Sequence, residues 1–176
     1  MNIKKLFDLS NRTVILTGGS GLLGSQYAEG LSQAGANLVL ADINYAGCKN
    51  IAKQLEKKYQ NSILPIKLDL TDQKSIKNMV EKAVEKFSKI DVLINNAAFQ
   101  GKVGKERQIK FEDLPLSLWD KAISVNLTGI FLSCQEVGKI MIKQKQGVII
   151  NIASTYGIVA ADQRIYGNSG QNSAVY

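Results

Sequence analysis

Histidine is absent from this sequence, and its 176 residues include only two cysteines and two prolines. Without histidine, a Ser-His-Asp triad cannot be assembled. Cys48 and Cys134 stand alone, in neither CxxC nor Cys/His spacing, which removes a structural zinc site. Two isolated thiols fit a reducing compartment. The scarcity of proline argues against a Pro-rich linker. No apolar run reaches the length of a membrane span. The first residues, MNIKKLFDLSNR, hold no signal-peptide core. A cytoplasmic protein, with no membrane partner and no bound metal, is expected.

What is present suits one folded domain. Apolar residues make up 45% of the chain and charged residues 21%, which is ordinary for a globular protein. The length allows a proper core but not two domains, so residues 1–176 read as a single unit. The net charge is +7. The lysines alternate with glutamate and apolar residues along helical stretches such as KQLEKKY and KAVEKF. That pattern is a solvated helix face, and no basic-aromatic cluster calls for nucleic acid.

Five short apolar runs read as buried strands: 13–19, 37–42, 63–70, 91–98 and 147–154. Between them lie helical periodicities over 22–34, 44–60, 72–87 and 117–145. Asp72 is placed to cap the third helix, Ser117 and Asp120 fit the start of the fourth, and Gly147 follows its end. Apolar strands alternating with amphipathic helices predict an α/β fold, a doubly wound parallel sheet of Rossmann type. From 155 to 176 the periodicity fails, and a loop-like tail is expected.

The first strand runs into TGGSGLLG, residues 17–24. A glycine-rich turn between a buried strand and a helix lets a pyrophosphate approach the backbone, and the helix N-terminus favours the anion. A tight turn without ligand is the plain alternative. Asp42 closes the second strand. A carboxylate there accepts bonds from both ribose hydroxyls of NAD and repels the extra phosphate of NADP. NAD is therefore favoured over NADP, with a helix cap as the other role open to Asp42.

TGGSGLLG, Asp42, LDLTD (68–72), NNAA (95–98), VNLTG (125–129) and NIAS (151–154) occur in this order. The set resembles the short-chain dehydrogenase/reductase family from about Asn11 to Ser154. The resemblance implies cofactor contacts from Gly18, Ser20, Gly21, Leu22, Gly24 and Asp42. It implies adenine contacts from Asp69 and Leu70, and places Asn95 and Ala97 beside the cofactor ribose. Asn126 matches the residue that organises a proton-relay water, and Ser154 the serine that hydrogen-bonds the substrate oxygen. The compact branch of the family usually has alanine or glycine where Leu22 stands. The loop spacing matches the extended branch, which works on nucleotide sugars, whereas NNAA and the NIAS serine match the compact one. The segment 99–113 either shapes a substrate pocket or is merely a loop.

The implied reaction is hydride transfer between nicotinamide and a carbonyl or alcohol carbon. A tyrosine serves as general acid/base, and a lysine four residues later lowers its pKa. Tyr156 is followed four residues on by Ala160, and Tyr166 by Gly170. Tyr176, preceded by NSAV, matches the approach to the catalytic tyrosine. The expectation is a site cut off before its lysine, with later strands and helices missing. Little or no turnover is then expected of these 176 residues, and an intact protein would be a homodimer or homotetramer. A dinucleotide-binding protein without turnover is the alternative.

Overall fold

In the computed structural model, which describes residues 6–99, 101, 109, 111–159, 162 and 164, each of the five apolar runs contains a strand. They are β1 (Thr13–Thr17), β2 (Asn37–Asp42), β3 (Ile63–Lys67), β4 (Val92–Asn95) and β5 (Val148–Asn151). All neighbours pair in parallel, in the order β3-β2-β1-β4-β5. The helices α1 (Leu22–Gln33), α2 (Tyr45–Tyr59) and α3 (Gln73–Phe87) fill the first three connections.

The inner strands β2, β1 and β4 bury both faces because their residues alternate between two cores. Ile15, Val39, Ala41, Ile66 and Leu93 pack with Ile76, Met79, Val80 and Ala83 of α3. Val14, Leu16, Leu38, Leu40 and Ile94 pack with Ala28 of α1 and Cys48, Ala52 and Leu55 of α2. Each fully buried Leu or Ile contributes about 1.5–3 kcal/mol. A strand with two apolar faces needs a helical layer on each side, and the doubly wound sheet supplies both. The expected α/β fold is the observed one.

The fourth helix differs from its expected form. It is broken into α4 (Leu116–Ile123), a π-helical segment (Ser124–Gly129) and α5 (Ile130–Gln144). Its N-cap is Pro115, not Ser117, and the cap is backbone only. The widened turn coincides with a close crossing. A Cβ on Gly129 would lie 2.7 Å from both the Cβ and the carbonyl oxygen of Leu70. Asp72 caps α3 as expected, accepting from the Lys74 amide at 2.9 Å.

The two edges of the sheet are built differently. Edge strand β3 carries Pro65 and Lys67, and Lys86 Nζ donates to the Ile63 carbonyl at 3.1 Å. Such features blunt an edge. Edge strand β5 reads VIIN and is exposed at every residue, Val148 by 56% and Ile150 by 42%.

At the amino-terminal end of the sheet, Asp91 is 4% exposed. Its carboxylate accepts from the Thr13 amide at 2.9 Å and from Arg12 Nη1 at 2.8 Å. Lys89 Nζ stands 3.2 Å away. The Asp91 carbonyl accepts from the Val148 amide at 3.0 Å. One buried residue thus joins the starts of β1, β4 and β5.

Candidate dinucleotide site

The chain winds from β1 outward to β2 and β3, then returns to place β4 on the other side of β1. Loops leaving the carboxyl ends of β1 and β4 therefore diverge. This switch point is where open α/β sheets bind ligands.

The two loops are stapled together at the bottom of that crevice. The Thr17 hydroxyl accepts from the amides of Asn96 and Ala97, each at 3.1 Å, and donates to the Ile94 carbonyl at 3.4 Å. Asn96 Nδ2 returns bonds to the carbonyls of Thr17 at 3.0 Å and Gly18 at 3.3 Å. Gly18 adopts φ +68°, and a Cβ there would meet Ala97 Cα at 2.8 Å. A Cβ on Gly24 would stand 2.0 Å from the Gly18 carbonyl oxygen. Both glycines are required by contact, and at Gly18 also by conformation.

Helix α1 starts at Leu22 behind an extended Gly21, with no side-chain cap. Its first amides and its dipole therefore face the crevice side of the loop without a capping oxygen. Leu22 is 85% exposed. It occupies the first helical position, so its side chain projects outward and the glycine cradle beneath is preserved. The departure at Leu22 is accommodated without cost to the loop.

Asp42 lies at the end of β2, directly beside this loop. Its Oδ2 accepts from the Ser20 amide at 3.0 Å and its Oδ1 from the Asn44 amide at 2.9 Å. The cap of α2 is Asn44, whose side chain accepts from the Gly47 amide at 3.0 Å. Asp42 thus braces the glycine loop and leaves the helix cap to its neighbour. Burial, and then the nearby Asp42 charge, push the Cys48 thiol up to about 12, so that cysteine is inert at neutral pH.

Asp69 and Leu70 follow β3 on the same edge of the sheet. Hydrogen bonds from the Thr71 hydroxyl at 2.6 Å and amide at 2.9 Å hold the Asp69 carboxyl below its usual range. Leu70 is buried under Gly129.

Asn95 is 1% exposed. Its Nδ2 donates to Asn151 Oδ1 at 2.8 Å and to Cys134 Sγ at 3.3 Å. Its Oδ1 is buried and takes no donor from the described residues. Asn126 lies in the π-helical segment and turns its amide onto one backbone unit. Its Oδ1 accepts from the Phe99 amide at 2.7 Å, and its Nδ2 donates to the Phe99 carbonyl at 2.9 Å. Ser154 stands three residues past β5 and is half-buried. Its Oγ accepts from the Tyr156 amide at 3.1 Å, which leaves the hydroxyl proton to donate. Tyr176 lies outside the described residues.

The sequence reading missed Thr17 and Asn96, which join the loops, and Asn151, which pairs with Asn95. Thr17 ends one strand and Asn96 follows the end of another. A hydroxyl and an amide at the ends of adjacent parallel strands were the available signal.

A dinucleotide fits these groups. There is a backbone cradle that any Cβ would fill, an uncapped helix N-terminus for a pyrophosphate, and a carboxylate at the end of the next strand. The buried Asn95 Oδ1 is an acceptor awaiting a donor.

Comparisons with known proteins agree. A family model described as short chain dehydrogenase matches residues 12–169. The chain is 35% identical over 165 residues to 3-oxoacyl-[acyl-carrier-protein] reductase FabG of Thermotoga maritima, covering 94% of this chain and 61% of that protein. It is 33% identical over 161 residues to the NAD-dependent glycerol dehydrogenase of Listeria innocua, covering 92% and 59%. The crystal structure of NAD+-bound xylitol dehydrogenase superposes with a TM-score of 0.81 at 25% identity, covering 93% and 60%. The chain spans about three-fifths of the length of these relatives.

Proposed function

Because the chain belongs to the short-chain dehydrogenase family, we propose that it binds a nicotinamide dinucleotide at the β1/β4 crevice and serves hydride transfer between that cofactor and a small alcohol or carbonyl. The observation that carries this reading is the stapled glycine cradle, with Asp42 bonded to its Ser20 amide at 3.0 Å. The amides of α1 bind the pyrophosphate, flanked by Gly18, Ser20, Gly21, Leu22 and Gly24. Asp42 accepts from the adenosine ribose. Asp69 and Leu70 flank the adenine, while Asn95 and Ala97 line the side nearer the nicotinamide. When bound, the cofactor supplies or accepts the hydride.

Ser154 donates its hydroxyl proton to the substrate oxygen and so fixes the reacting carbon. Asn126 holds the Phe99 backbone, and organises the relay water in the same reading. Tyr176 is the general acid/base at the substrate oxygen in this reading, a role that needs a cation beside the phenol to lower its pKa. A cytoplasmic location is consistent with Cys48 and Cys134, both free thiols. No helix among the described residues is long and apolar enough to cross a membrane. Assembly as a homodimer or homotetramer belongs to the same reading.

NAD is favoured over NADP in this reading, because the Asp42 carboxylate accepts from ribose hydroxyls and repels an added phosphate. The names of the glycerol and xylitol dehydrogenases support a small alcohol as substrate, and that of FabG a carbonyl carried on a protein. An Asp42→Ala variant is expected to bind NAD about tenfold more weakly, a loss typical of a charge-assisted hydrogen bond. Its preference for NAD over NADP should shrink in the same titrations. An unchanged ratio of the two affinities removes Asp42 from the cofactor site.

A further inference from the structure

Phe99 is the first residue past NNAA, and its ring takes part in neither core cluster among the described residues. Asn126 holds its backbone from one side. Its ring lies under the ammonium of Lys121, with Nζ 4.7 Å from the ring centroid. That distance is well inside the range of a cation–π contact.

Lys121 sits in the last turn of α4, just before the π-helical segment, and is exposed. It also acts across the cleft on Asp69. The Thr71 bonds lower that carboxyl most and burial raises it, while Lys121 and then Lys67 lower it further through space. The ammonium therefore contacts the Phe99 ring and acts on Asp69 only through space. Asp69 belongs to the turn after β3, and Phe99 to the loop after β4.

We propose that Lys121 is a positioning residue for the dinucleotide: stacked on Phe99, whose backbone Asn126 holds, it fixes the loop after β4 where that loop leaves the crevice. The proposal rests on the dinucleotide reading of the crevice. It adds a residue on α4, outside the glycine cradle, to the determinants of affinity. An exposed cation–π contact is modest, so the effect on affinity is small but measurable.

The chain has a single tryptophan, Trp119, two residues before Lys121. Its emission overlaps the absorption of NADH, so binding can be followed by energy transfer in the unlabelled protein. Lys121→Met keeps the aliphatic stem and removes the charge. It is expected to weaken NADH about two- to fivefold, the size of one exposed cation–π contact. Lys121→Gln serves as a second neutral variant, and Lys121→Arg is expected to restore wild-type affinity. Phe99→Leu should reproduce the loss, and the double variant Lys121→Met/Phe99→Leu should be no weaker than either single one. Melting temperatures close to wild type separate positioning from unfolding.

Wild-type binding with neutral variants of equal affinity overturns the proposal and leaves the dinucleotide reading standing. Additive losses in the double variant, or failure of arginine to restore affinity, also overturn it. No energy transfer to NADH in the wild-type protein overturns both.

Discussion

A Gly24→Ala substitution is expected to abolish measurable dinucleotide binding. The added Cβ would lie 2.0 Å from the Gly18 carbonyl oxygen and 3.0 Å from Gly19 Cα. Both obstacles are backbone, so no side-chain rotation relieves the overlap. The Gly18 carbonyl is already held by the Gly21 amide at 3.1 Å and by Asn96 Nδ2 at 3.3 Å. Helix α1 must therefore move away from the loop, and the amides that would bind a pyrophosphate move with it. Overpacking of this kind costs about 1–3 kcal/mol. For a chain of this size that lowers the melting temperature by roughly 2–4 °C per kcal/mol. Thermal denaturation and NADH titration on the same sample read both effects. Ile142→Ala is the informative control. Ile142 is 78% exposed on α5, so its truncation should leave binding within about threefold of wild type, as surface changes away from packed contacts usually do. A Gly24→Ala protein that binds like wild type would mean that α1 does not form the cradle.

The largest loss of stability is expected at Asp91. Replacing it with alanine leaves the Thr13 amide buried without an acceptor and strands Arg12 and Lys89. Removing one partner of a buried ionic cluster costs about 3–5 kcal/mol. Arg12 is 50% exposed and Lys89 38% exposed, so the cost should fall at about 3 kcal/mol, the lower end of that range. The same residue makes stability depend on pH. Burial raises the Asp91 carboxyl, but the Thr13 amide, Arg12 and Lys89 outweigh burial and hold it below its ordinary value. A carboxyl lowered by folding stabilises the native state above the unfolded value of about 3.9. That contribution disappears as the pH falls through the lower folded value. Melting temperatures from pH 7 to pH 3 should drop less steeply for Asp91→Asn than for wild type. Parallel curves would assign the acid sensitivity to other carboxylates.

The sheet was legible in the sequence because its strands are short and apolar on both faces, with charge only at the ends of β2 and β3. Runs such as TVILT and NLVLAD have no other stable home than a sheet covered twice. The positions of Gly18, Gly24 and Asp42 were legible for a related reason: a turn and a strand end leave few choices of residue. The break in the fourth helix was not. A π-helical turn adds one residue to a helical period, and Ile123, Leu127 and Ile130 keep an apolar rhythm through it. Asp91 was invisible because it reads as the polar start of a strand, and its partners Arg12 and Lys89 gain meaning only when β1 lies beside β4. Asn96 was hidden by its neighbour. Two adjacent asparagines look alike, yet Asn95 turns toward β5 and Asn96 toward the glycine loop.

Calorimetric titration of the 176-residue chain with NAD and with NADP tests the dinucleotide site most directly. One equivalent of NAD should bind per chain, with a dissociation constant of roughly 1 µM to 1 mM, the span of working substrate affinities. NADP should bind more weakly, because its phosphate meets Asp42. Absence of saturable heat with either dinucleotide, on protein whose cooperative melting shows it folded, would contradict the assignment of the β1/β4 crevice.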